Sequence, residues 1–163
     1  MKLSAYIIKI DSGFAPNPFG HYCTLACCKP TIRRNADVGD IIVGTACATS
    51  AKPGHLIYAI RVKCVLTYQE YWKEPKFAHR KPSQKTAITR RGDNIWHEVN
   101  GEVNGEWKVA SGAFHNDSHW KRDTGGKNAL IGTKFFYFGK AAIPVASAIQ
   151  APACDDSRPQ EHS

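Results

Sequence analysis

The sequence predicts a mainly β, α+β fold: a small closed or nearly closed barrel of six to eight strands, one or two short helices and two long loops. Three observations carry this. Residues 56–66 alternate, with Leu56, Tyr58, Ile60, Val62, Cys64 and Leu66 on one face and Arg61 and Lys63 on the other, the period of two of a half-buried strand. Shorter runs rich in branched and aromatic residues recur at 3–10, 41–45, 94–99, 106–110 and 129–138. Between them, proline, glycine and small polar residues mark turns.

In order, Leu3 to Ile10 is a first strand, closed by the loop Asp11-Ser12-Gly13-Phe14-Ala15-Pro16-Asn17-Pro18-Phe19-Gly20. Two prolines and two glycines shape that loop, and two aromatics stand where polar residues would suffice. Residues 22–28 are short and apolar; Lys29-Pro30 breaks them, and a turn of helix follows around 31–36. Val38-Gly39-Asp40 turns into the strand 41–45. After the long strand, Thr67 caps a helix from Tyr68 to Lys73 with Glu70 in capping-box position, and Pro75 stops it. Residues 73–91 lack a strong period and read as a long loop or arm. The strands 94–99 and 106–110 flank two Asn-Gly pairs, of which one can be a tight hairpin turn. Residues 111–128 form a second long, polar loop. A strand at 129–138 and a short one at Ile143 to Val145 complete the set.

The chain has 163 residues, 42% of them hydrophobic, enough for one domain with a real core. We expect the domain to span 1–149, with 150–163 a disordered tail. No apolar run is long enough to cross a membrane. The start is no signal peptide, because Lys9 and Asp11 interrupt it. Six cysteines include the adjacent pair Cys27-Cys28, an awkward start for a disulfide framework, so reduced thiols in a cytoplasmic setting are expected. Net charge is +8, and residues 73–91 contribute Lys73, Lys76, Arg80, Lys81, Lys85, Arg90 and Arg91 against Glu74 alone. Such a run is either a solvated face or a phosphate-facing patch.

Phe14, Phe19 and Trp96 are candidates to stack on a base, and Asn17 to read its edge; the plain alternative is that they plug the barrel. Lys29, Arg33 and Arg34 gather at a chain break, and with Arg90, Arg91 and Arg122 they are the candidate phosphate ligands. Lys29, or Cys28 with its pKa lowered by Lys29, is a catalytic candidate with Thr24; the plain alternative for Cys28 is a small buried hydrophobe. His115, Asp117 and Asp123 can serve as acid or base, though proximity in sequence does not establish geometry. Cysteine and histidine spacing does not make a usual zinc set, so no metal is expected, and nothing calls for a cofactor. Phosphate-binding glycine loops, a nucleophile-elbow serine and a zinc-protease helix are all absent.

The blocks Asp11–Phe19, Cys23–Arg33, Val38-Gly39-Asp40 and Tyr71–Phe77, with Arg91–Ile95, Arg122-Asp123-Thr124 and Phe136–Gly139, resemble the family called nucleotide modification associated domain 2. The turn-and-strand pattern from Lys29 onward is also similar to the wider PUA-like group with its ASCH and EVE domains. The resemblance implies a PUA-like barrel and an association with systems that make or handle modified nucleotides. It implies a pocket that binds a modified base in DNA or RNA, or alternatively an enzyme that hydrolyses or modifies a nucleotide. A third reading is an interaction subunit in a phage or bacterial defence cassette, with other proteins of that system as partners. The Asn-Gly-Glu near-repeat around residues 100–106 and the acidic tail depart from the family pattern and are expected to be peripheral.

Overall fold

The computed structural model describes residues 1–98, the backbone of 107–109, and residues 114–146. The expected strands at 94–99 and 106–110 are described as β6 (Trp96–Glu98) and β7 (Trp107–Val109), which pair antiparallel. The turn between them and the tail lie outside the described residues.

Four strands form the larger sheet: β1 (Leu3–Ile8), β3 (Ile41–Ala46), β4 (Leu56–Arg61) and β9 (Lys134–Tyr137), in that spatial order. β1 runs parallel to β3, and the other pairings are antiparallel. The second sheet has the order β2 (Cys23–Leu25), β8 (Asn128–Gly132), β5 (Cys64–Thr67). Tyr6, Ile8, Cys23, Leu25, Ile42, Tyr58, Ile60, Val62 and Leu130 fill the space between them, so the alternation in the sequence marks a real core.

The structure refines the sequence reading in several places. The long run at 56–66 is not one strand. It bends after Arg61, because Val62 N–H donates to Asp40 C=O while Lys63 N–H donates to Ile131 C=O across the second sheet. The run at 129–138 breaks at Thr133 in the same way. Gly132 permits the crossing: a Cβ there would lie 2.4 Å from the Arg61 carbonyl oxygen. Secondly, the two sheets share these bent strands, and among the described residues no pairing joins the outer strands β1 and β2, so a closed barrel is not found there. Thirdly, 73–91 is no free arm. It carries two 3-10 stretches, Pro75–Arg80 and Thr89–Arg91, and buries Phe77 and Arg80. Finally, the polar segment 111–128 contains the helix α3 (Trp120–Thr124). The other two helices are where the caps put them: α1 (Pro30–Asn35) after Lys29, and α2 (Tyr68–Lys73) with both halves of the Thr67–Glu70 capping box made. Ile143 forms a single bridge to Leu56 in place of a last strand.

Candidate active site

β2 carries the chain into the interior, and Ala26 and Cys27 continue fully buried. At Cys28 and Lys29 the backbone turns left-handed, with φ of 59° and 44°. Side-chain-bearing residues seldom adopt this conformation; each costs about 1–3 kcal/mol and persists only where its surroundings enforce it. Two hydrogen bonds do so: Cys28 N–H donates to Asp123 Oδ1 at 3.0 Å, and Cys28 C=O accepts from Arg33 Nε at 2.6 Å. The reversal turns Cys27 inward and Cys28 outward, to the wall of a cleft.

Asp123 sits on α3 with no solvent exposure. Its Oδ2 accepts from Trp96 Nε1 at 3.1 Å and lies 2.5 Å from His115 Nδ1, while Arg122 Nε approaches Oδ1 at 3.4 Å. The other ring nitrogen of His115, Nε2, faces Cys28 Sγ at 3.9 Å. Thiol, imidazole and carboxylate thus form a connected line, with the carboxylate fixing the ring from behind. Burial works against a charged His115, but its hydrogen bonds to Asp123 and Cys28 outweigh burial and push its pKa up to about 9. Burial likewise opposes the Asp123 charge, and the bonded His115, the Cys28 N–H and Arg122 overcome it, holding this carboxyl below its ordinary range. Phe14 braces the imidazole, meeting His115 edge-on at 4.7 Å and stacking on Phe114 at 5.3 Å. The two loops singled out in the sequence therefore meet at this histidine.

The cleft beside Cys28 encloses about 400 Å³. Tyr6, Ile7, Ile8, Ile10 and Ala15 form its apolar walls, and Lys29 and Arg122 bring positive charge to it. Lys29 Nζ lies 4.9 Å from the centre of the Tyr6 ring, and Arg122 keeps half its side chain in solvent.

The remaining residues singled out from sequence fall in different places. Arg33 is an interior group. Its guanidinium donates to the Cys28, Asn128 and Asp123 carbonyls and to the Tyr68 hydroxyl, so no donor faces outward for phosphate. Gly126 makes room for it, since a Cβ there would lie 2.5 Å from its Nη1. Phe14, Asn17 and Trp96 are buried as well. Asn17 donates from Nδ2 to Arg91 C=O at 2.7 Å and accepts from Arg80 Nη1 at 2.5 Å, which occupies the groups expected to read a base. Phe19 is half-buried under the Arg91 guanidinium and walls a second, mostly apolar cavity of about 260 Å³. Arg34 and Arg90 are exposed, away from the Cys28 cleft lining. The side chain of Asp117 lies outside the described residues.

A second buried network was invisible in the sequence. Thr24 Oγ1 and Tyr71 OH donate to the two oxygens of Asp93, at 2.5 and 2.9 Å, and Arg80 donates to Thr24, Asn17 and Tyr22. Burial pushes the Asp93 carboxyl up despite the neighbouring Arg80. The role of Trp96 in fixing Asp123 also went unseen; the signal available was an indole donor beside the polar Asp93-Asn94 pair.

Cys27, His115 and Asp123 each bring one ligand atom within 4.8 Å of the others. Burial pushes the Cys27 thiol well up, and its Sγ already contacts the Asp93 carbonyl at 3.6 Å. The Nδ1 of His115 and Oδ2 of Asp123 are engaged with each other. These atoms fit a hydrogen-bonded relay better than three open metal ligands. No helix among the described residues is long and apolar enough to cross a membrane.

The family model described as nucleotide modification associated domain 2 matches residues 1–162, and so takes in the Asn-Gly-Glu near-repeat and almost all of the tail. No curated protein and no solved structure matches the chain.

Proposed function

From the premise that the chain belongs to the nucleotide modification associated domain 2 family, we propose that it is an enzyme whose Cys28 thiol attacks an electrophilic carbon of a nucleotide or modified base. The line Cys28–His115–Asp123 carries this reading. His115, its pKa raised to about 9, holds the proton drawn from the thiol before the sulfur–carbon bond forms, and gives it to the leaving group as the scissile bond breaks. Water, deprotonated by the same imidazole, then releases the product and restores the thiol. Asp123 holds the ring orientation and stabilises the imidazolium. Lys29 and Arg122 hold the phosphate, and the apolar wall of Tyr6, Ile8 and Ile10 takes the heterocycle. The backbone strain at Cys28 supports the assignment, because such strain gathers at functional positions. The two sheets joined by bent strands are the frame on which we read a PUA-like relationship.

The test is mass spectrometry of the intact protein and of the small products, with nucleosides, nucleotides and oligonucleotides carrying modified bases. We expect a substrate-dependent adduct on Cys28, absent from Cys28→Ser. Cys47, whose thiol is held below its ordinary range by the Thr49 hydroxyl, serves as an internal control for indiscriminate labelling. Turnover undiminished in Cys28→Ser would dismiss the thiol mechanism.

The cavity beside Phe19 favours a second reading, recognition of a modified base without chemistry. There, Phe19→Ala would weaken binding of the cognate base far more than of plain duplex, and equal losses on both would count against it.

A further inference from the structure

We infer that the corner where β4 and β9 meet is a second anion site, one that holds a backbone phosphate of nucleic acid, so that the substrate is a polynucleotide and not a free nucleotide. Arg61, Lys63 and Lys134, all exposed, line a cavity of about 300 Å³ together with Val38, Gly39 and Thr133. No carboxylate joins them in that lining, and among the described residues none pairs with any of the three. Asp37, next to Val38 in sequence, is turned to Lys2 at 3.6 Å. Arg61 and Lys134 stand directly opposite each other in the antiparallel register. Facing like charges destabilise a sheet, and here no internal anion relieves them. An external phosphate does so, and Thr133 adds a hydroxyl donor.

The spacing fits a polymer. Arg61 pairs with Ile41 at the start of β3, whereas the Cys28 cleft is lined by Ile7 and Ile8 at the far end of the parallel β1. A strand of that length separates the two by about 20 Å, about six steps of a duplex. The inference draws on the proposed function only for what occupies the Cys28 cleft; anion binding at the corner stands without it.

Fluorescence anisotropy with a labelled duplex oligonucleotide, between 50 and 200 mM salt, tests it. One phosphate neutralised at the corner contributes a slope of about −0.9 in log K against log salt. The triple variant Arg61→Ala, Lys63→Ala, Lys134→Ala is therefore expected to bind more weakly at low salt. Over that range the wild type should lose about 3.5-fold more affinity than the variant. Cys28 adduct formation with a mononucleotide should stay unchanged. Lys134→Glu supplies a second readout: it relieves the facing charges, so the melting temperature rises while duplex affinity falls. Unchanged affinity and slope in the triple variant would overturn the inference. So would loss of binding to phosphatidylserine vesicles in a protein that never bound the oligonucleotide. Loss of adduct chemistry with the salt slope intact would sink only the enzymatic reading.

Discussion

The molecule contains two buried networks built from similar parts, and they end differently. One joins Arg80, Asp93, Thr24, Tyr71 and Asn17; the other joins Arg33, Asp123, Trp96, Tyr68 and His115. Each sets an arginine and an aspartate in the interior, and each ties the loop containing Phe14 and Phe19, or the residues after it, to distant segments. In the first, the hydrogen bonds run between groups inside the protein, Arg80 Nε alone of this set lacking a partner among the described residues, and the Asp93 carboxyl is pushed up by burial. In the second, the carboxyl is held down, and its partner His115 reaches a thiol at the wall of a cleft. A buried ionic cluster is thus no sign of a site in itself. What separates them is an outlet to a thiol at the wall of a cleft.

The comparison breaks first at Cys28. Cys28→Ala should reduce kcat/KM by at least about 10³-fold, since removing the nucleophile from a cooperating set removes most of what the set does. The melting temperature should barely move, because this side chain is partly exposed. A variant that retained turnover would leave the second network as structural as the first.

Asp123→Asn comes next, with a loss of about 10²–10⁴-fold in kcat, the scale for a carboxylate that fixes an imidazole tautomer. Asparagine keeps the shape but brings an amide donor to a position where His115, Trp96 and the Cys28 N–H all donate. KM should change little. A large rise in KM with kcat preserved would mean that Asp123 serves binding instead of orientation.

Arg80→Met is the mirror experiment. Loss of the guanidinium takes a buried donor from the Asn17 and Tyr22 carbonyls, Asn17 Oδ1 and Thr24 Oγ1 and should cost about 3–5 kcal/mol of stability, seen as a drop of about 10 °C or more in Tm by calorimetry. Turnover per folded molecule, measured well below Tm, should hold. Lost turnover at full folding would show that the two networks are coupled.

The sequence displayed the parts of the second network but not their union. Cys28, His115 and Asp123 each stood out by chemical type, and the left-handed turn was foreshadowed only as a break at Lys29-Pro30. Cys28 and His115 lie 87 positions apart, and what brings them together is the pairing of β2 with β8, a long-range register that local periodicity does not encode. The same gap hid the burial of Arg33. A cation in the Arg33-Arg34 pair of a short helix reads as surface until one knows that the Tyr68 hydroxyl and the carbonyls of Asp123 and Asn128 wait for it. Strands and capped helices were legible because their signals are local. The bends at Val62–Lys63 and Thr133 were not, because apolar alternation continues across them while the hydrogen-bond partner changes.

The smallest expected effect is on pH dependence, and it separates the networks by where it falls. His115 has a folded pKa of about 9, above the unfolded value of about 6.5. The folded state therefore holds the proton more tightly. The stability from this pair is complete below about pH 6.5 and is lost as pH rises through about 9, a change of about 1–3 kcal/mol. Asp93 is also raised, so its contribution declines with rising pH too, but starting near its unfolded value of about 4. Asp123 is lowered and has the opposite sign: its contribution is present above about pH 4 and is lost as pH falls. Calorimetric Tm measured from pH 3 to 10 should fall on the alkaline side in the wild type. In His115→Gln that alkaline decline should flatten, while the acid limb, where the two aspartates oppose each other, keeps its form. An alkaline decline identical in both proteins would mean that His115 carries no proton in the folded state, and the imidazolium on which the thiol mechanism draws would be absent.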